Sequence, residues 1–377
     1  MNIITRRTFL KRSIAITAGA SASLTAMHTL QAEPSASSTA NRPDTNKIPD
    51  NPYADGKLLD GPPPLTTGAF TIAVLPDTQY YSERFPATYK AQTRWIVEQK
   101  EKRNIACVLH LGDLVDQNTP EQWEKAVKAM KILDGHIPYF IVPENHDYNN
   151  WGNCEDRSTL ISSCFPVAKF KDLQTFGGVY DREPERMDNS FHLFSAGGRN
   201  FLVLCLEFGP RRDVVRWANE IVSQHRDREA ILVTHAFTYS DNTRYDWAKF
   251  GEQQSWNPHD YGIARNSGDD VADGEQLWQE LISRHESFIF TINGHVLNDG
   301  LGRLASQTPD GREIHQMLVN FQMRPKGGDG WLRLLEMCPQ GTMNVLDFSP
   351  TRGQCNESPK NKFSVKLALL DAPVTPP

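Results

Sequence analysis

Residues 105–116 read IACVLHLGDLVD, an apolar run that stops at a glycine and passes into two aspartates three positions apart. A stretch this uniformly aliphatic describes a strand covered on both faces, the kind that lies in a parallel sheet beneath helices. Gly112 then marks a turn. Asp113 and Asp116 stand beyond the strand's carboxyl end, where α/β sheets bind their ligands. The same arrangement recurs on either side. FTIAVL (70–75) precedes Asp77 and Gln79, PYFIV (138–142) precedes Asn145, His146 and Asp147, AILVT (230–234) precedes His235, and SFIFTIN (287–293) precedes Gly294-His295. Five strand ends are therefore expected to converge on one face.

Between these strands, helical patterns near 89–102 and 121–133 complete a βαβαβ order. SFHLF (190–194) and NFLVLCLEF (200–208) add strands, and helical patterns follow near 213–225 and 275–284. HQMLVNF, WLRLLEM and MNVLDF, in 315–348, follow one another without helices. They predict a second sheet packed against the first. Two long connections, 148–189 and 237–274, are expected to form walls of a cleft, because long loops in compact domains are usually functional.

The ends of the chain differ in kind. Arg6-Arg7-Thr8-Phe9-Leu10-Lys11 precedes a mild apolar run and Ala32, which reads as a twin-arginine export signal over residues 1–32. Residues 33–66, crowded with Pro, Ser, Thr, Asn and Gly, read as a flexible linker, 67–350 as the folded domain and 351–377 as a tail. The expected destination is the periplasm or the exterior, with the twin-arginine translocase as the partner during export. No later stretch reaches the 18 or so apolar residues of a membrane span. Loss of Arg6, Arg7, Lys11 and Arg12 from 40 basic side chains leaves 36 against 46 acidic, a net of −10, which argues against a nucleic-acid partner. Cys107 and Cys205 lie in apolar runs and read as buried thiols. Cys154 with Cys164, and Cys338 with Cys355, are candidates for disulfides in an oxidising compartment.

Hydrolysis of a phosphate ester needs a nucleophile at neutral pH, neutralisation of the phosphoryl oxygens and a proton for the leaving oxygen. Two metal ions about 3.5–4 Å apart supply the first two. Asp113 is the candidate bridge. One ion would take Asp113, Asn145, His235 and His295, and the other Asp113, Asp77 and the amide oxygen of Gln79. His146 is placed to protonate the leaving oxygen, with Asp116 orienting its ring. Asp113 and Asp116 could also cap a helix start, and Gln79 could simply bond a neighbouring loop. Arg211 and Arg324 suit phosphate chemically, but no spacing singles them out. Tyr80, Tyr81, Tyr239, Tyr245 and Trp247 could line a cleft or pack onto the core. No nucleophilic-serine or P-loop motif competes.

Laid out in this order, residues 68–350 resemble the calcineurin-like metallophosphoesterases, whose motifs run D-x-H, G-D-x-x-D, G-N-H-D/E, a lone strand-end His, and G-H-x-H. GDLVD, NHD, VTHA and NGH match in sequence order. The resemblance implies a four-layer α/β/β/α sandwich of two mixed β-sheets flanked by helices, with a dinuclear centre. The chain departs at Gln79, where the family has histidine, at Glu144, where it has glycine, and at Leu297, where the second histidine of G-H-x-H belongs. PDTQYY, THAFTYSD and GGDGWLRLL are similar to a bacterial branch that carries Gln in the first motif. Replacing imidazole by an amide oxygen shifts the expected ion toward Mn²⁺ or Mg²⁺, with Zn²⁺ or Fe less suited, and weakens the site nearest Leu297. Asn298, Asp299 and His315 could substitute, but none is assigned as a ligand. The leading expectation is a hydrolase of phosphate monoesters or diesters. The competing one, motivated by Gln79 and Leu297, is a metal-binding surface or carbohydrate-binding protein on the same scaffold. A third is the same centre acting on a phospholipid headgroup or a cyclic nucleotide.

Overall fold

The computed structural model describes Tyr53, residues 57–149 and residues 151–371. The expected signal at 1–32 and most of the expected linker lie outside the described residues. In chain order the strands are β1 Leu58–Asp60, β2 Phe70–Leu75, β3 Ile105–His110, β4 Tyr139–Phe140, β5 Phe176–Val179, β6 Ser190–Ala196, β7 Arg199–Cys205, β8 Glu229–Val233, β9 Phe288–Asn293, β10 Leu301–Gln307, β11 Glu313–Val319, β12 Leu332–Met337, β13 Thr342–Ser349, β14 Gln354–Asn356 and β15 Lys362–Lys366. The helices that matter here are α1 Gln79–Glu83, α2 Pro86–Glu98, α3 Pro120–Met130, α4 Arg212–Gln224 and α5 Gly274–Glu280.

The strands form two mixed sheets, ordered β1-β14-β13-β12-β2-β3-β4 with β15 on β13, and β10-β11-β9-β8-β7-β6-β5. β2, β3 and β4 run parallel, as do β7, β8, β9 and β11, so the carboxyl ends of each parallel set share one edge. The period-2 alternation of each strand divides its side chains between two layers. Phe70, Ile72 and Val74 of β2 meet Phe201, Val203 and Cys205 of β7 in the core between the sheets. Ala73 and Leu75 face the other way, under Tyr89, Ile96 and Trp123 of α2 and α3. Leu202 and Leu204 likewise face Val214 and Trp217 of α4, with Leu277 and Trp278 of α5 alongside. This is the expected α/β/β/α order. It explains why these strands carry no polar face.

Several details differ from the sequence reading. WLRLLEM and MNVLDF do not build the second sheet. β12 pairs antiparallel with β2 in the first sheet, while HQMLVNF, as β11, pairs parallel with β9 in the other. The chain crosses between the sheets through residues 320–331. The expected linker contains β1, whose Leu59 pairs with Cys355, and the expected tail contributes β14 and β15. Three-residue strands such as LLD are too short to show a period amid Pro and Gly. All six cysteines are free. Cys154 packs with Tyr148 and Phe208, whereas Cys164 packs against the α2/α3 layer, so the expected first pair sits in separate clusters. Cys355 is buried in β14, and the Cys338 thiol lies beside Glu336 and Asn344, so the second expected pair does not form either. No helix among the described residues is long and apolar enough to cross a membrane.

Candidate metal centre

The carboxyl ends of β2, β3, β4, β8 and β9 deliver the residues singled out in the sequence, and each arrives with its orientation fixed. After β3 the backbone turns through Gly112 (φ 90°) and Asp113 (φ 49°). The first position requires glycine, because a Cβ there would overlap the Glu144 side chain. Aspartate tolerates the left-handed region better than most residues. Asp113 Oδ1 accepts the amide of His146 at 3.1 Å, and its Oδ2 lies 3.3 Å from His235 Nε2. Asp147 ties the adjoining loops by accepting the amides of Val115 and Glu144, each at 3.0 Å.

His235, fully buried after β8, donates Nδ1–H to the Leu111 carbonyl at 2.8 Å, which leaves Nε2 aimed at Asp113. Asp77, after β2, accepts on Oδ2 the amide of His295 at 3.0 Å and the side-chain amide of Asn320 at 2.7 Å. Gln79 opens α1, and its Nε2 donates to Asp116 Oδ1 at 3.2 Å. Asn145 donates through Nδ2 to the Gly152 carbonyl at 3.2 Å. His295 (φ 77°) donates Nε2–H to the Trp256 carbonyl at 2.8 Å, its ring 4.8 Å from that of His235. Gly152 and Trp256 belong to the two long connections, so both reach the site.

A pattern runs through these contacts. Asp77 Oδ1, Gln79 Oε1, Asn145 Oδ1 and His235 Nε2 are buried without a hydrogen-bond partner, while the other polar atom of each side chain is held. An unpaired buried polar atom costs about 1–3 kcal/mol, and bound cations would supply the partners these four lack. One ligand atom each from Asp77, Asp113 and His235 already lies within 4.8 Å of the others. The donor set, three oxygen-bearing side chains and one imidazole nitrogen, fits a hard divalent ion.

The electrostatics agree. Burial drives the Asp77 carboxyl up to about 7, against the pull of His235, with the Asp113 charge adding to the rise. Burial pushes Asp113 the same way, but His235 and His146 outweigh it and hold that carboxyl down to about 2. Burial opposes the charge on His235, yet Asp113, Glu144 and Asp77 raise its pKa well above the ordinary range. Burial, aided by the His235 charge, lowers His295 to about 3, which keeps its imidazole neutral. The carboxylates are crowded and short of positive charge. Glu144 is fully buried against Gly112 with neither oxygen partnered, and burial raises its pKa strongly.

His146 sits at the margin of this cluster. Its ring is oriented by the Asp116 backbone carbonyl, 2.9 Å from Nδ1, with the carboxylate farther off at 3.6 Å. Asp116 thus sits where the expected orienting residue would, chiefly through its backbone carbonyl, while its carboxylate Oδ1 also accepts from Gln79. The ring's Nε2 faces Gly152, where a Cβ would sit 2.5 Å away.

Other expectations resolve by packing. Arg211 is consumed by Glu183 and Glu207. Tyr81, Tyr239 and Tyr245 pack into the core, and Trp247 stacks near His259. Asp299 pairs with Lys360, and His315 Nε2 donates to the Lys366 carbonyl, so neither stands in for the imidazole absent at Leu297. Asn320 is the residue the sequence reading missed. It follows the apolar run HQMLV just as the others follow theirs, and that strand-end position was the available signal.

A family model described as calcineurin-like phosphoesterase matches residues 70–299, more than half of the chain. A curated relative, the uncharacterized protein YvnB of Bacillus subtilis, is 28% identical over 81% of this chain, which spans 22% of that protein's length. Among solved structures, a purple acid phosphatase from yellow lupin is similar at a TM-score of 0.45 and 12% identity, over 81% of this chain and 55% of that one. A 5′-nucleotidase precursor from Thermus thermophilus is similar at 0.38 and 10%, over 81% and 56%.

Proposed function

This chain belongs to the calcineurin-like phosphoesterase family, and on that premise we propose that it hydrolyses phosphate esters at a centre of two divalent ions held by Asp77, Gln79, Asp113, Asn145, His235 and His295. Family membership supports a phosphoric ester hydrolase. The observation that carries metal dependence is the set of four buried, unpartnered atoms, each on a side chain whose other polar atom is already engaged. Bound divalent ions supply a water acidic enough to attack at neutral pH and neutralise the phosphoryl oxygens. Asp113, with an oxygen 3.3 Å from His235 Nε2 and grouped with Asp77 and His235 within 4.8 Å, would be the carboxylate shared by the two ions. The oxygen-rich donors favour Mn²⁺ or Mg²⁺ over Zn²⁺ or Fe.

His146 performs the proton transfer. The Asp116 carbonyl holds Nδ1–H, so Nε2 of the imidazolium carries the proton that passes to the leaving oxygen as its bond to phosphorus breaks. Asp116 also fixes Gln79, which couples the proton donor to the first-motif amide through one residue. An exported destination, periplasmic or extracellular, rests on Arg6-Arg7 and the apolar run that follows. Phosphate monoesters and diesters both suit such a centre, and the test uses one of each.

The test is turnover of p-nitrophenyl phosphate and bis(p-nitrophenyl) phosphate after stripping and reloading with Mn²⁺, beside Asp113→Asn. Turnover of either ester that needs Mn²⁺ and vanishes in the variant supports the reading. Metal-independent turnover, or equal rates in the two proteins, would sink it. Two bound ions with neither ester turned over would move the reading to a metal-binding protein without catalysis.

A further inference from the structure

The first-motif ion is the one that loses imidazoles at Gln79 and Leu297. Of its ligands, Asp77 is held directly by the segment that crosses between the sheets after β11, residues 320–331, and the same segment packs on α1, which Gln79 opens; this segment lies beyond the family match at 70–299. Asn320 is buried at 3% exposure. Its Nδ2 donates to Asp77 Oδ2 at 2.7 Å across 243 residues of sequence, and its Oδ1 accepts the amide of Gln322 at 2.9 Å. Its own amide donates to the Gly300 carbonyl at 2.7 Å, which fixes the strand end to the loop after His295. Asp77 Oδ2 is thereby saturated by two donors, and Oδ1 is left as the atom without a partner. Gly294 completes the arrangement, because a Cβ there would overlap Asp77 Oδ1.

Farther along the same segment the backbone takes positive φ at five successive residues, Lys326 (55°), Gly327 (76°), Gly328 (129°), Asp329 (49°) and Gly330 (74°). Non-glycine residues at such angles persist only where their surroundings over-determine them. Here the turn seats on α1. The Gly330 amide donates to the Tyr81 hydroxyl at 2.9 Å, and a Cβ at Gly327 would sit 2.6 Å from Tyr80 Cβ. Asp329 anchors the other side through Arg352 at 2.7 Å. The first residue of α1 is Gln79.

We propose that Asn320 is a positioning residue for the metal centre: it holds Asp77 Oδ2 so that Oδ1 alone meets the ion, and this replaces by rigid placement what the missing imidazoles would supply by affinity. The inference rests on the dinuclear reading above. Groups that hold a ligand from behind are typically worth about 10–100-fold in metal affinity.

The test is calorimetric titration of the stripped full chain with Mn²⁺, for the parent, Asn320→Leu, Asp77→Asn and the double variant, with circular dichroism as the check on folding. Asn320→Leu is expected to lose about 10–100-fold in affinity at one ion site and less than about twofold at the other. In the Asp77→Asn background the same change is expected to cost less than about twofold, since its route runs through Asp77. Should Asn320→Leu fail to fold, Asn320→Ser, whose hydroxyl is too short to reach Oδ2, is expected to show the same loss. A folded Asn320 variant that binds both ions as the parent does would overturn the proposal, as would an equal loss with and without the Asp77 carboxylate. A parent that takes up no divalent ion would overturn the dinuclear reading itself, and this inference with it.

Discussion

His235 and Leu111 come from different sheets and are separated by 124 residues, yet the His235 imidazole donates to the Leu111 carbonyl at 2.8 Å. That bond sets the ring's tautomer and turns Nε2 toward Asp113, 3.3 Å away. His235→Ala leaves the Leu111 carbonyl unpaired and removes the only imidazole nitrogen among the four unpartnered atoms. We expect at least about a hundredfold loss of metal affinity and of kcat/KM, read by Mn²⁺ titration and ester turnover.

Gly294 has no left-handed requirement, so its constraint is purely steric. An added Cβ would overlap Asp77 Oδ1, the free oxygen of that carboxylate. Gly294→Ala should therefore fold and melt within a few degrees of the parent while binding fewer ions per chain. A normal ion count in Gly294→Ala would show that Asp77 Oδ1 points elsewhere.

Asp147 joins the β3 and β4 loops through two buried amide contacts of 3.0 Å. Asp147→Ala strands the amides of Val115 and Glu144, at a cost of about 1–3 kcal/mol each. Chemical denaturation should report a loss of about 2–5 kcal/mol; a loss under 1 kcal/mol would mean that water takes over both contacts.

Glu207 is fully buried at the end of β7, with Arg211 Nε 2.8 Å and Arg157 Nη1 3.5 Å away. Burial raises its pKa, but Arg157 and Arg211 outweigh that and hold it below the ordinary 4.5. A depressed folded-state value gives stability that is complete above pH 4.5 and lost as pH falls through the lower value. Glu207→Gln should flatten that acid limb and lower stability at pH 7 by about 3 kcal/mol, because Arg157 stays buried without its counter-charge. Thermal midpoints from pH 3 to 7 for both proteins read the two effects together.

Much of this architecture was legible because IACVLHLGDLVD and its counterparts carry two signals at once. Unbroken apolar runs mark covered strands, and the polar residues immediately after them mark the edge where those strands end. Asp77, Asp113 and His235 meet at that edge for this reason. Asn320 obeys the same rule after HQMLV but was passed over, since its partner is a carboxylate 243 residues away and no local pattern reports such a contact. The assignment of WLRLLEM and MNVLDF to a sheet failed on similar grounds. Strand spacing says that strands are neighbours in sequence, not which sheet receives them. The cysteines 154 and 164 are close in sequence, but the layers that bury them are different.

The most direct measurement is the number of Mn²⁺ ions retained per chain after stripping, reloading and desalting, counted by plasma mass spectrometry for the parent and for Asp113→Asn. The account predicts two ions in the parent and fewer than one in the variant, since the bridging carboxylate serves both sites. A parent that retains no ion, or a variant that retains as many as the parent, would contradict the claim that the four unpartnered atoms and Asp113 form a metal centre.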